Sequence, residues 1–113
     1  MKVERLVPTP DQKTQFAWSH HVAVPNQPGC YALVTYHGDV LYVGLAARSI
    51  QNRMGAHLDT PVKRQGGPLG VPFWFFYLVR PALDVGSVEK GWMNQAILED
   101  GEIPPLNRIY SPL

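Results

Sequence analysis

The chain has a single cysteine, Cys30, in 113 residues. One thiol excludes an internal disulfide framework and a cysteine-based zinc site, and it fits a reducing compartment, so a cytoplasmic protein is expected. Long apolar runs are missing too. No segment approaches the ~20 apolar residues that a membrane helix needs, and the start, Met1-Lys2-Val3-Glu4-Arg5-Leu6, has no apolar stretch of the kind a secretory leader carries. Charge of one sign is also lacking. The formal net charge is +1, so there is no global positive field to attract a polyanion, and any phosphate binding would have to come from a local patch. Internal repeats and low-complexity tracts are absent.

What remains is an ordinary globular balance, 45% hydrophobic and 17% charged, in a chain long enough for one hydrophobic core. Residues 1–27 carry Pro8, Pro10 and Pro25 and no sustained period. They read as an N-terminal arm on the core, with Phe16, Ala17, Trp18 and residues 22–24 packing as a short irregular element. Residues 28–113 form the expected domain.

Cys30 to Tyr36 and Val40 to Val43 are rich in β-formers and flank His37-Gly38-Asp39, which predicts a hairpin. A two-residue turn at Gly38-Asp39 would pair His37 with Val40, Thr35 with Tyr42 and Leu33 with Gly44. Period-two alternation then places Tyr31, Leu33 and Thr35 on the same face as Tyr42 and Gly44, so two phenols converge beside a residue without a side chain.

Ser49 is a plausible N-cap for a helix through about Leu58, with Ile50, Met54 and Leu58 as its apolar stripe and Arg53 and His57 adjacent along the edge. Residues 58–72 are punctuated by Gly and Pro and predict a long exposed loop carrying the basic pair Lys63-Arg64. Phe73 to Val79 is apolar on both alternating faces and reads as a strand buried on both sides. A second helix, capped by Ser87 and ending near residues 98–100, gathers Val88, Trp92, Met93, Ala96 and Ile97 on a broad apolar face. Glu89 falls within that face. An unpaired carboxylate in a core costs several kcal/mol, so such a group is normally paired, bound to a metal or protonated. Together these elements predict an α/β fold in which a small antiparallel three-stranded sheet is flanked by helices.

Gly29-Cys30-Tyr31 and Tyr42-Val43-Gly44 resemble the paired signatures of the GIY-YIG endonucleases, with Cys30 in place of the usual Ile. The following helix with Arg53 and His57, the later helix with Glu89, and Asn107 after Pro104-Pro105-Leu106 resemble the rest of that family's site, so the likeness spans about residues 28–107. The family's commonest interval, counted back from Asn107, falls on Gln95, whereas Glu89 lies further away. Glu89 is preferred as the metal ligand because Trp92 and Met93 follow it as bulky residues follow the family's Glu; Glu99 lies at the helix end, close to Asn107.

The resemblance implies hydrolysis of a DNA phosphodiester by water, leaving 5′-phosphate and 3′-hydroxyl ends, with one Mg²⁺, or Mn²⁺ in its place, on Glu89. Arg53 would meet the non-bridging phosphate oxygens, and Tyr31 would act on the attacking water with Tyr42 and His57 assisting. Gly44, Arg48, Lys63, Arg64 and Asn107 would line the substrate. No recognition module accompanies the domain, so specificity would come from the 58–72 loop, a homodimer or a partner protein. The alternatives are a catalytically inactive nucleic-acid-binding member of the fold and a protein-interaction domain. Each residue also has a plain reading: strand tyrosines pack cores, Arg53 and Lys63 can be solvated, and Asn107 can be turn chemistry. His20-His21 lacks carboxylate or cysteine partners and is not read as a metal site.

Overall fold

The computed structural model describes residues 1–110, so the last three residues of the expected 28–113 unit lie outside the described residues. Strands β1 (Gln12–Gln15), β2 (Gly29–Val34), β3 (Val40–Ala46) and β4 (Trp74–Val79) form one antiparallel sheet in the order β1-β4-β2-β3. Helices α1 (Ile50–Leu58), α2 (Pro61–Gln65), α3 (Val85–Asp100) and α4 (Pro105–Tyr110) complete the α/β architecture. Among the described residues, no helix is long and apolar enough to cross a membrane.

The sheet has four strands rather than three. The additional one comes from the arm, where Gln12 to Gln15 pair with Tyr77 to Trp74. Four polar residues give no apolar alternation, yet an edge strand needs only backbone partners on one side. Elsewhere the arm is short 3₁₀ turns, including Trp18–Ala23, as its lack of period implies.

The hairpin register differs from the expected one by two residues. Tyr31 faces Gly44 and Leu33 faces Tyr42, while Val34 faces Val40 across a bulge that leaves Leu41 extra. The turn residues are Tyr36, His37 and Gly38, closed by Gly38 N donating to Thr35 O at 3.0 Å and Thr35 N to Asp39 O at 2.9 Å. Gly38 sits at φ 98°, the left-handed position that ends a three-residue hairpin turn. An even slip returns every side chain to its original face. Tyr31, Leu33, Tyr42 and Gly44 therefore still share one.

That face packs on α1 through Ile50, Met54 and Leu58, with Phe75, Tyr77 and Leu106. The opposite face, Cys30, Ala32, Val34, Val43 and Leu78, packs on Val85 and Trp92 of α3 and on Val3 and Leu6 of the arm. β4 is internal to the sheet, although Trp74 and Phe76 are only partly covered, because α3 lies over β2 and β3.

Ser49 caps α1 as expected, accepting from Asn52 N at 3.0 Å, while the arm carbonyls of Gln27 and Pro25 take the N–H groups of Ile50 and Gln51. Residues 58–72 are not all loop: Pro61 opens α2, which runs to Gln65. α3 begins at Val85, not after Ser87, whose hydroxyl donates to Asp84 O inside the first turn. Val85 starts the buried stripe, so the helix reaches back to it. Ile97 is 46% exposed instead of joining that stripe, because the last turns of α3 meet the arm through Gln95, Glu99 and Asp100 rather than the sheet.

Candidate functional site

Strand β2 delivers Tyr31 to the α1 face, where its ring stacks between Phe75 and Tyr42, with centroids 5.2 and 6.2 Å away. Gly44, directly opposite, leaves room for the phenol. A Cβ at that position would lie 2.6 Å from both Cζ and Oη of Tyr31. Because the ring is held on both sides, it cannot give way. Gly44→Ala is therefore expected to destabilise the fold by about 1–3 kcal/mol, the usual range for overpacking, and urea denaturation measures it. An unchanged midpoint would mean that Tyr31 can leave its slot.

Helix α1 brings two side chains to the phenol. His57 Nε2 lies 2.6 Å from Tyr31 Oη, and Arg53 Nε donates to the same oxygen at 3.4 Å. Tyr42 meets the His57 ring edge-on at 4.9 Å. The expected same-face cluster of Tyr31, Tyr42, Arg53 and His57 is thus present. Its inner members are closed to solvent: Tyr31 is fully buried and His57 is 2% exposed, whereas Arg53 is exposed. Arg53 is therefore the member that an approaching substrate meets first.

Lys63 joins this cluster unexpectedly. Instead of standing in a solvated loop it is 7% exposed, with Nζ 2.7 Å from His57 Nδ1 and 4.3 Å from the centre of the Tyr42 ring. The pair Thr60-Pro61 was the available sequence signal, since Pro is favoured at the first position of a helix and a helix here turns Lys63 inward. Arg64 remains exposed on α2.

Burial fixes the electrostatics of the group. It pushes the Tyr31 phenol above its ordinary range, with Tyr42 adding to the effect and Arg53 opposing it. It also lowers His57 to about 3, assisted by the charges of Lys63 and Arg53, and lowers Lys63 to about 8, assisted by Arg53. The phenols, Tyr31 foremost, hold the Arg53 guanidinium still more firmly protonated than usual.

Ala46, Ala47, Arg48, Ser49, Asn52 and Arg53 line a shallow hollow of about 300 Å³ at the start of α1. The first backbone N–H groups of α1 are already bonded to Gln27, Pro25 and Ser49. An anion entering the hollow would consequently meet the arginine side chains.

Asn107 is fully buried, and its amide bonds the backbone of Val43 twice: Val43 N donates to Oδ1 and Nδ2 donates to Val43 O, both at 2.9 Å. The geometry ties α4 to the middle of Tyr42-Val43-Gly44. It does not aim the amide at a substrate.

The three candidates for the metal position on α3 differ in what their side chains do. Gln95 accepts from Val7 N at 2.7 Å and donates to Arg5 O at 2.9 Å, and Glu99 pairs with Arg5 at 2.9 Å. Glu89 is half-buried, and its carboxylate forms no hydrogen bond or ion pair with another described residue. Burial raises its pKa, and its charge is felt at Cys30 and, weakly, at Tyr31. Among the described residues there is no group of three or more His, Cys, Asp or Glu side chains placed to hold a metal, so a cation here would rest on one carboxylate with water and phosphate oxygens.

No family model matches this chain, and no curated protein matches it.

Proposed function

We propose that this protein is a cytoplasmic, metal-dependent endonuclease that hydrolyses DNA phosphodiester bonds to 5′-phosphate and 3′-hydroxyl ends, in the manner of the GIY-YIG enzymes it resembles. One observation carries the reading: Tyr31 Oη lies within hydrogen-bonding reach of both Arg53 Nε and His57 Nε2, beside Tyr42 and above Gly44. A phenolic oxygen between a guanidinium and a neutral imidazole suits handling a water proton next to a phosphate.

Arg48 and Arg53 in the hollow receive the scissile phosphate and its neighbour, with Arg53 on the non-bridging oxygens where charge grows in the transition state. The terminal nitrogens of Arg53 meet the phosphate while Nε stays on Tyr31 Oη, whose remaining lone pair accepts a hydrogen bond from the attacking water. Arg64 contacts flanking backbone, which positions DNA without specifying sequence. Specificity comes from the 58–72 segment, a second copy or a partner protein.

Glu89 fits a Mg²⁺ or Mn²⁺ ligand because it is a half-buried carboxylate with no hydrogen-bond or ion-pair partner among the described residues. Bound metal would supply charge stabilisation at the leaving 3′ oxygen.

The test is nicking of supercoiled plasmid with Mg²⁺ by wild type and Glu89→Gln. The variant is expected to lose about 10²-fold or more in rate. It should also gain stability at neutral pH. A carboxyl whose folded pKa is raised favours the fold fully below its unfolded value, and that contribution is lost as pH rises through the folded value. Glutamine removes this loss, and thermal unfolding at pH 7 measures it. Cleavage that survives Glu89→Gln sinks the metal assignment.

The burial of Tyr31 and His57 favours one other reading, a nucleic-acid-binding domain without catalysis. Salt-sensitive DNA binding with no cleavage by wild type would select it.

A further inference from the structure

Resting on the nuclease reading, we infer that Lys63 is the terminal proton acceptor of a relay that runs from the attacking water through Tyr31 and His57. The observation is a continuous line of contacts: Tyr31 Oη to His57 Nε2 at 2.6 Å, and His57 Nδ1 to Lys63 Nζ at 2.7 Å. Its three members come from β2, α1 and α2.

With Lys63 as the neutral amine, every bond in the line points one way. Tyr31 O–H donates to His57 Nε2, and His57 Nδ1–H donates to Lys63 Nζ. Arg53 Nε–H donates to the phenolic oxygen, which keeps capacity to accept from water. As the water oxygen attacks phosphorus, its proton passes to Tyr31, the phenolic proton to His57 Nε2, and the Nδ1 proton to Lys63. The new P–O bond forms while the bond to the 3′ oxygen breaks, and that oxygen takes a proton from solvent. Lys63 ends as the ammonium and later releases its proton to solvent.

The electrostatics suit a concerted transfer. A buried phenol resists becoming phenolate, and a histidine held near 3 resists becoming imidazolium, so neither intermediate member keeps a charge. Lys63, lowered to about 8, is the member that can take a proton and return it near neutral pH. Arg53 and His57 face it from α1, Tyr42 from β3, and Tyr31 stands beyond His57 on β2; Arg64, its neighbour on α2, is exposed.

This makes Lys63 a positioning residue that acts through His57 and Tyr31, and its test is a pH profile. Single-turnover nicking of supercoiled plasmid with Mg²⁺ is followed from about pH 6 to 10 for wild type, Lys63→Arg and Lys63→Gln, and the Lys63 side-chain signal is titrated by NMR in the wild-type protein without DNA. The relay requires the wild-type rate to rise with pH through an inflection near 8 that matches the NMR titration. Lys63→Arg keeps the charge and a donor for Nδ1 but cannot accept a proton. It should be about 10²-fold slower, with the inflection gone, as should Lys63→Gln.

If Lys63→Arg stays within about threefold of wild type with the inflection intact, Lys63 is structural and the relay is overturned. A Lys63 titration at the ordinary lysine value overturns it without any variant. Absence of cleavage by wild type under every condition overturns the nuclease reading itself, whereas a cleaving wild type with no inflection near 8 overturns the relay alone.

Discussion

Replacing Arg53 by alanine is expected to lower the rate of plasmid nicking by about 10³-fold, the upper end of what the loss of one preorganised donor to a developing oxyanion costs. Arg53 is the exposed member of an otherwise closed cluster, and its Nε already points at Tyr31 Oη. Alanine therefore removes the phosphate contact and the group that orients the phenol together. Lysine should restore little. Its ammonium is a single point charge, whereas the guanidinium can hold the phenolic oxygen through Nε and a phosphate through its terminal nitrogens. Stability should change by no more than about 1.5 kcal/mol, the worth of the one hydrogen bond lost at Tyr31 Oη, so unfolding curves run beside the rate measurements separate a catalytic loss from a folding one. Rates within tenfold of wild type would remove Arg53 from the chemistry.

Trp92→Ala should have the largest effect on the fold. Trp92 is fully buried at the centre of the α3 face, and its Nε1 donates to Pro8 O at 2.9 Å, joining helix, sheet and arm. Alanine would leave a cavity and an unpaired carbonyl. Truncations of this kind cost about 3–5 kcal/mol, a large part of the 5–15 kcal/mol that separates folded from unfolded domains. At this size the melting midpoint should fall by about 15 °C or more. The cluster around Tyr31 lies on the other face of the sheet and keeps its contacts, but Glu89 stands three residues before Trp92 on α3, so nicking should fall even well below the new midpoint. Thermal unfolding followed by circular dichroism, with nicking at low temperature, checks both parts. A shift of only a few degrees would show that the arm closes over the gap.

The sharing of one face by Tyr31 and Tyr42 was legible because it depends only on parity. The register expected from Gly38-Asp39 and the observed one differ by two residues, and the phenols converge in both. Helix α1 was legible for a related reason: its cap, its stripe and its period agree. Gln12 to Gln15 were not legible as a strand, because what makes them one is the backbone of β4, a partner remote in sequence. The inward turn of Lys63 was hidden in the same way. A lysine is buried only where particular partners receive it, and here they are His57 and Tyr42, which arrive from α1 and β3. Asn107 carried a signal for the site but not for its role, since an amide that can hold a substrate can equally hold a strand.

The pair of hydrogen bonds between Asn107 and Val43 also bears on how copies of this protein can meet. β3 is an outer strand of the sheet, and an outer strand exposes unpaired backbone groups that recruit strands from other molecules. Here Asn107 occupies both groups of Val43, and Met1 O takes the N–H of Val40. At the opposite border β1 is four residues long, polar, and carries Lys13. Both borders are therefore guarded against strand addition. A homodimer of this protein would have to form through helices or loops, and loosening α4 from β3, as Asn107→Leu would, should make the chain self-associate and precipitate on concentration even where it still folds.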